Sequence, residues 1–346
     1  MKKFLMLWVL ALTMLTGMEV QAAEATPQKD ANEIVKKSNE VMSTKRVVKV
    51  DEYIISFGQR QKLLTVEVDA NTKISYVNMM GIEIYTDDNT QLMYMYEPSE
   101  GKWYVENMGN SEVDETLTPV TDTIDPVTNY TYKETTLYQN ISCDVIEVNV
   151  KDNSTGAIYQ AVYYINESTY EVVLLRLTDS YNITVEAEYS FPESVTLPQT
   201  VTQSAVLFPG SSVNVKGIEY TASVGKQRTV KVTSGKKASG KVSIPDKITF
   251  AGKDYKVPGI ADNAFAKNKN VKNVTLGKNI KTIGQKAFFK CKSLNQVTIQ
   301  STVLKKVGSK AFYGNAKTLK VKTPKGKQEK YRKLIEKSKT SSKLKM

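Results

Sequence analysis

Two hydrophobic periodicities divide the chain. Residues 30–46 carry Ile34, Val35, Ser38 and Val41-Met42 at helical spacing behind Asp30, a residue type that caps a first turn, and this predicts a helix. Beyond it the period falls to two. Short strands are predicted at 63–68, 72–78, 82–85, 92–96 and 103–106, and again at 131–138, 144–150, 157–165, 170–178 and 181–190. Polar turns separate them, among them Asp69-Ala70-Asn71, Asp87-Asp88-Asn89, Asp152-Asn153-Ser154-Thr155-Gly156 and Asn166-Glu167-Ser168. Residues 107–129 read as a long acidic loop. The pattern describes an antiparallel meander with one helix in front of it.

The last third of the chain follows a different rule. Residues 257–324 repeat with a period of 23–24: Ile260, Ile283 and Val307 are equivalent, as are Ala264-Phe265, Ala287-Phe288 and Ala311-Phe312. Asn268, Cys291 and Asn315 follow three residues after each Phe. Val271 then matches Leu294, and Val274, Val297 and Val321 align, with Leu276 and Ile299 continuing the apolar series. Apolar positions kept in step over such a period mark a solenoid whose units bury their faces only by stacking.

The unit Ile283-Gly284…Ala287-Phe288…Cys291…Leu294…Val297…Ile299 resembles the BspA-type leucine-rich repeat of bacterial surface proteins. Val242-Ser243-Ile244-Pro245 with Gly252-Lys253…Tyr255 resembles a first, incomplete repeat. Thr323-Pro324-Lys325-Gly326-Lys327, with Tyr331 and Leu334, looks like a closing strand and short helix. Thr318-Leu319 departs by one residue from the expected leucine, as a capping repeat does. In residues 30–200 the order of one helix and then a long meander, ending at Phe191-Pro192 and Leu197-Pro198, is similar to the lipoprotein-carrier (LolA-like) half-barrel. That resemblance implies a curved sheet around an apolar cavity for acyl chains. The fold class expected is mainly β with two domains, an antiparallel curved, half-barrel-like sheet with a helix and a short leucine-rich-repeat solenoid. The expected boundaries are 1–22, 30–205, a linker at 206–214, the repeats at 215–337 and a basic tail at 338–346.

Composition sharpens this division. The 346 residues carry a net charge of +12, contain no histidine and have two cysteines. Without histidine, Ser-His-Asp and Cys-His mechanisms and His-ligated metals are excluded, and two cysteines make neither a disulfide scaffold nor a Cys-based zinc site. Charge is unevenly placed: residues 26–210 hold 13 basic and 28 acidic residues (−15), residues 211–346 hold 33 basic and 6 acidic (+27). Such asymmetry points to an interaction surface. At the start, Lys2 and Lys3, an apolar run from Phe4 to Leu15, and Val20-Gln21-Ala22 read as a secretory signal peptide cleaved near Ala22. The run is shorter than the ~20 residues of a membrane span, and no later stretch qualifies.

Candidate chemistry is therefore recognition. Lysines fall between the apolar repeat positions, with Lys267, Lys269, Lys290, Lys292, Lys305, Lys306, Lys325 and Lys327 as candidate contacts to a polyanion. Wall polymers, anionic head groups and host glycans are the accessible polyanions outside a cell. Nucleic acid is not expected, because Lys far outnumbers Arg and no aromatic stacking platform is read from the sequence. Met93, Met95, Trp103 and Tyr163, with Met79, Met80, Tyr85 and Tyr164, are candidates for an apolar cavity or for ordinary core. The acid pairs Asp51-Glu52, Asp87-Asp88 and Asp114-Glu115 read as solvated turns or strand edges, not as calcium ligands or glycosidase carboxylates. Cys291 faces inward as a small hydrophobe, and both cysteines are expected to be buried and unpaired. No cofactor or catalytic residue is expected. The expectation is a non-enzymatic binding protein, secreted or held at the cell surface or envelope, whose repeats adhere to a protein or polyanionic surface. The alternative is a lipid or lipoprotein carrier working through the N-terminal domain.

Overall fold

Helix α1 (Ala31–Thr44) begins where the side chain of Asp30 accepts the Asn32 backbone N–H, and its buried residues Ala31, Ile34, Val35, Ser38 and Met42 form one stripe. The computed structural model describes residues 29–108, 129–151, 156–225 and 228–346. The expectations for residues 1–22, for the acidic loop and Asp114-Glu115, and for the turn at 152–155 lie outside the described residues. The chain divides into two compact units, one of residues 1–101 and 112–199, the other of residues 102–111 and 200–346.

The first unit is a large curved antiparallel sheet. Its strands are β1 (Val47–Ser56), β2 (Gln59–Asp69), β3 (Ile74–Met79), β4 (Ile82–Asp87) and β5 (Leu92–Glu97), then β7 (Thr131–Tyr138), β8 (Ile141–Lys151), β9 (Ile158–Asn166), β10 (Val172–Thr178) and β11 (Thr184–Ser190), while β6 (Lys102–Asn107) belongs to the second unit. The order runs β5-β4-β3-β2-β1-β11-β10-β9-β8-β7, so β1 joins the two meanders through β2 on one side and β11 on the other. Period two alone does not reveal β1. Its apolar residues come in adjacent pairs, Val47-Val48 and Ile54-Ile55, and a bulge between Glu52 and Tyr53 shifts its register with β2.

Residues directly opposite each other share a face, and the register therefore draws one apolar surface across the sheet. Val50 lies opposite Val66, Val66 opposite Val77, Val77 opposite Ile84 and Ile84 opposite Met95. In the other direction Glu52 lies opposite Ala187, followed by Leu175, Tyr163 and Ile146. Helix α1 packs on this face, in a core with Val50, Ile146, Tyr163, Leu175, Ala187 and Tyr189.

The second unit is a solenoid of about five turns. Its start is an antiparallel cap of Ser212–Val215, Ile218–Ala222 and Thr229–Ser234. Parallel ladders follow. Val242, Val274, Val297 and Val321 are successive partners in one, and Ile260, Ile283 and Val307 in the other. The sequence equivalences are thus physical neighbours. Phe265, Phe288 and Phe312 stack inside, with centroids 4.9 and 5.3 Å apart and planes within 16° and 5°, and all three are fully buried. A helix, Gln328–Lys337, closes the far end with buried Tyr331 and Ile335, and the Tyr331 hydroxyl donates to the Ser301 carbonyl at 2.8 Å.

Adjacent turns approach so closely that glycine is required where backbones meet. A Cβ on Gly308 would lie 2.4 Å from the Gln285 nitrogen and 2.5 Å from the Gly284 carbonyl carbon. Gly308→Ala is therefore expected to destabilise the solenoid by about 1–3 kcal/mol, as overpacking does, read as a lower melting temperature in a thermal unfolding scan.

Candidate functional site

The repeat positions of lysine become stacked positions. Lys267 and Lys290 are equivalents on neighbouring rungs, as are Lys269 and Lys292, Lys281 and Lys305, and Lys286 and Lys310. Backbone bonds fix this order: Lys267 N–H donates to Phe289, Lys290 to Tyr313, Lys305 to Lys281 and Lys286 to Ser309. Rungs in such a ladder stand about 4.8 Å apart, so like charges are held side by side. Of the expected contacts, Lys267, Lys269, Lys290, Lys292, Lys305 and Lys306 are exposed on the rungs, whereas Lys325 and Lys327 sit in the turn before the closing helix, which has no equivalent among the rungs. Among the described residues, ion pairs within 211–346 are confined to Lys247–Asp254, Arg332–Glu329 and Lys333–Glu329.

Four of these lysines also hold a left-handed backbone. Lys267, Lys286, Lys290 and Lys310 have φ of 65°, 52°, 55° and 56°. The equivalent positions on neighbouring rungs are Asn263 (φ 59°) and Gly314 (φ 76°), residue types that adopt this region readily. Between the lysines stands an aromatic pair that the sequence reading missed. Phe289 and Tyr313 stack with centroids 5.8 Å apart and planes 17° apart. The ammonium groups of Lys286 and Lys290 lie 5.7 and 5.2 Å from the Phe289 ring centre, and that of Lys310 lies 6.0 Å from Tyr313. The signal was present as an aromatic directly after the buried Phe on two rungs. Ala266 at the first rung breaks the column and hides it.

The first unit treats charge differently. On the sheet face opposite α1, Glu186 is clamped between Arg60 (2.7 Å) and Arg176 (2.6 Å), and Arg60 also reaches Glu188 at 2.7 Å. Lys62 pairs with Asp51 at 2.6 Å and Lys49 with Glu67 at 3.2 Å. Its cations are thus largely neutralised within the unit.

The expected cavity residues separate. Met93 and Met95 lie on the apolar face, two residues apart on β5, and Met79 joins them with Leu64 and Ile84. Tyr163 is on the same face but inside the core under α1. Trp103 is on β6, in the second unit. Tyr85 and Tyr164 occupy the opposite face, where Arg176 donates to the Tyr164 hydroxyl at 2.6 Å. Met80 stands 80% exposed in a turn, where it lines a shallow pocket with Leu64 and Asn78. The core that includes α1 reaches β1 at Val48 and Val50, and the aliphatic side chains of β3 to β5 on that face remain partly exposed.

Glu52 corrects the reading of the acid pairs. It sits mid-strand on the apolar face, 3% exposed, and its Oε1 has no hydrogen-bond partner. Burial raises its pKa from 4.5 to about 7. Both cysteines are free and buried. Cys291 donates its thiol to the Phe265 carbonyl at 3.0 Å, and burial pushes that thiol up to about 12. Among the described residues no group of three or more Cys, Asp or Glu side chains could hold a metal ion, and no helix is long and apolar enough to cross a membrane.

The architecture defines the chain as a large curved antiparallel sheet with one helix, joined to a β-solenoid of about five turns. The model of the BspA type leucine rich repeat region matches residues 257–343, in six copies, about a quarter of the chain. No curated protein matches the chain. Among solved structures it is similar to the lipoprotein LppX of Mycobacterium tuberculosis, with 13% identity over 48% of this chain and 97% of that one and a TM-score of 0.35. It is also similar to a leucine rich cell surface protein of Faecalibacterium prausnitzii, with 22% identity over 33% of this chain and 37% of that one and a TM-score of 0.28. A putative outer membrane lipoprotein-sorting protein domain from Vibrio parahaemolyticus shares 9% identity over 48% of this chain and 95% of that domain, with a TM-score of 0.24.

Glu52 makes stability depend on pH. Its folded pKa lies above its unfolded value, so the folded state holds the proton more tightly, and stability falls as pH rises from 4.5 to about 7. The fall amounts to about 3 kcal/mol at about 1.4 kcal/mol per pH unit. Chemical denaturation of the native chain should show it, and Glu52→Gln should flatten the profile across that window.

Proposed function

We propose that this is an exported, non-enzymatic binding protein of the cell surface or envelope, in which the leucine-rich repeats adhere to a polyanionic or protein surface. The observation that carries this reading is the set of exposed lysine ladders, stacked like charges with almost no acidic partners in their own unit. A surface built only for solubility mixes signs and avoids a large field of one sign. Here the rungs hold ammonium groups in rows, and a repeating anion laid along a row relieves their repulsion. The signal-like start fits export, and the absence of histidine fits a function without His-based catalysis. Binding of the full chain to anionic cell-wall fragments should be strong at low salt and weaken steeply as salt rises. Replacing Lys267, Lys269, Lys290 and Lys292 together by Gln should weaken binding and flatten its salt dependence. No retention at low salt would sink the reading.

A second reading has its own observation. The part of the apolar face beyond α1, with Met79, Ile84, Met93 and Met95, is aliphatic, adaptable and partly exposed, which suits an acyl chain or another apolar ligand. Native mass spectrometry of the gently purified chain should then reveal co-purifying lipid. Met95→Asp, at a half-buried position, should abolish it while leaving the melting temperature nearly unchanged, and a lipid-free native chain removes this reading.

A further inference from the structure

The turn surface around Phe289 and Tyr313 has features that a general basic coat does not need. Two rings stack on the outside of the solenoid, and Tyr313 is 39% exposed. Three ammonium groups lie 5.2 to 6.0 Å from the ring centres. The rung before Phe289 carries Ala266 at the equivalent position, and among the described residues no ring continues the stack on that side. The lysines that frame this step, Lys267, Lys286 and Lys290, stand in left-handed conformations that Asn263 and Gly314 fill on other rungs.

We infer that this surface is a binding site for an acidic polysaccharide, with one sugar ring seated over Ala266 against Phe289 and its carboxylate or sulfate among Lys267, Lys286 and Lys290. The inference deepens the adhesion reading and rests on it. A pyranose ring presents a face of C–H bonds, which packs on an aromatic ring, while its acidic substituent projects from the rim. A platform of ring and cation together matches both halves of such a unit. The cations are Lys, a compact point charge, and not the planar Arg fork that recognises phosphate in two contacts. With only two rings in the stack, the surface lacks the run of aromatics on which successive bases of a nucleic acid lie.

The test is titration calorimetry of the full chain at one low ionic strength with polygalacturonate, with poly-L-glutamate as a polyanion without rings, and with a single-stranded oligodeoxynucleotide. Two variants separate the contributions. Phe289→Ala removes the stacking partner, and Ala266→Phe fills the step with the protein's own ring while keeping every lysine. Ala266→Phe is expected to retain the native melting temperature, and both variants should bind polygalacturonate about tenfold more weakly, as loss of one ring stack does, with poly-L-glutamate binding unchanged. Unchanged polygalacturonate binding in both variants overturns the site but leaves adhesion by charge standing, since poly-L-glutamate still binds. Failure of the native chain to bind either polymer overturns both. An oligodeoxynucleotide that binds more tightly than polygalacturonate and loses affinity in both variants makes the occupant a nucleic acid, and overturns the assignment to a sugar.

Discussion

In a parallel solenoid, equivalent residues of successive turns must lie on top of one another. That single constraint produces both what holds the second unit together and what sets like charges side by side on its surface. Inside, it stacks Phe265, Phe288 and Phe312 into a buried column and threads Val242, Val274, Val297 and Val321 into one ladder. Outside, the same register sets Lys267 beside Lys290 and Lys286 beside Lys310. The chain cannot have the first without the second unless it varies its surface from rung to rung, as it does at Ala266 and Gly314. A stack also needs ends. The antiparallel strands at 212–234 extend one ladder at its start, and at the far end residues 343–345 pair with 318–320 to extend the other, beside the closing helix with buried Tyr331 and Ile335.

The first unit obeys a looser constraint. An antiparallel register pairs unlike residues across strands, so charges can be matched, and Arg60, Arg176, Glu186 and Glu188 form a network on one face. The other face is left for apolar contact, and α1 completes a core over β1 and β8 to β11. Glu52 is the exception on that face. A carboxyl without a hydrogen-bond partner among Leu64, Ala187 and their neighbours opposes folding whenever it is ionised. The unit therefore carries, on its continuous apolar surface, a carboxyl whose charge changes near neutral pH.

The repeats were readable from sequence because each rung is local: its apolar positions recur at a fixed distance along the chain, and parallel stacking turns recurrence directly into contact. Ile260, Ile283 and Val307 needed no knowledge of the rest of the fold. In the first unit the contacts are distant in sequence, and reading failed where local pattern and tertiary role diverge. Strand β1 was hidden because a bulge breaks its alternation. Glu52 was grouped with its neighbour Asp51, which pairs with Lys62 and accepts from Thr65, yet adjacent residues of a strand face opposite ways. Met93 and Tyr163 were both singled out for bulk, but only register across eight strands shows that they share a face and that α1 covers just one of them. The Phe289–Tyr313 pair escaped for the reverse reason: two aromatics 24 residues apart form a platform only once the rungs are stacked.

The left-handed lysines bear on how the basic surface is to be understood. A left-handed residue with a Cβ costs about 1–2 kcal/mol relative to ordinary helical backbone, and the fold needs that conformation once or twice on each turn. Asn263 and Gly314 show that the same backbone sites accept residues suited to them. Lys267, Lys286, Lys290 and Lys310 therefore are not explained by the backbone, nor by ion pairing, since none of them forms a salt bridge among the described residues. Three of the four have their ammonium groups at the rings of Phe289 or Tyr313. An exposed cation–π contact contributes only about 0.5–1 kcal/mol, which does not offset the backbone cost and the repulsion of stacked like charges combined. The cost that remains is carried by the buried Phe column and the ladders beneath it, and left-handed lysines occur elsewhere in the chain as well, at Lys73, Lys216 and Lys339.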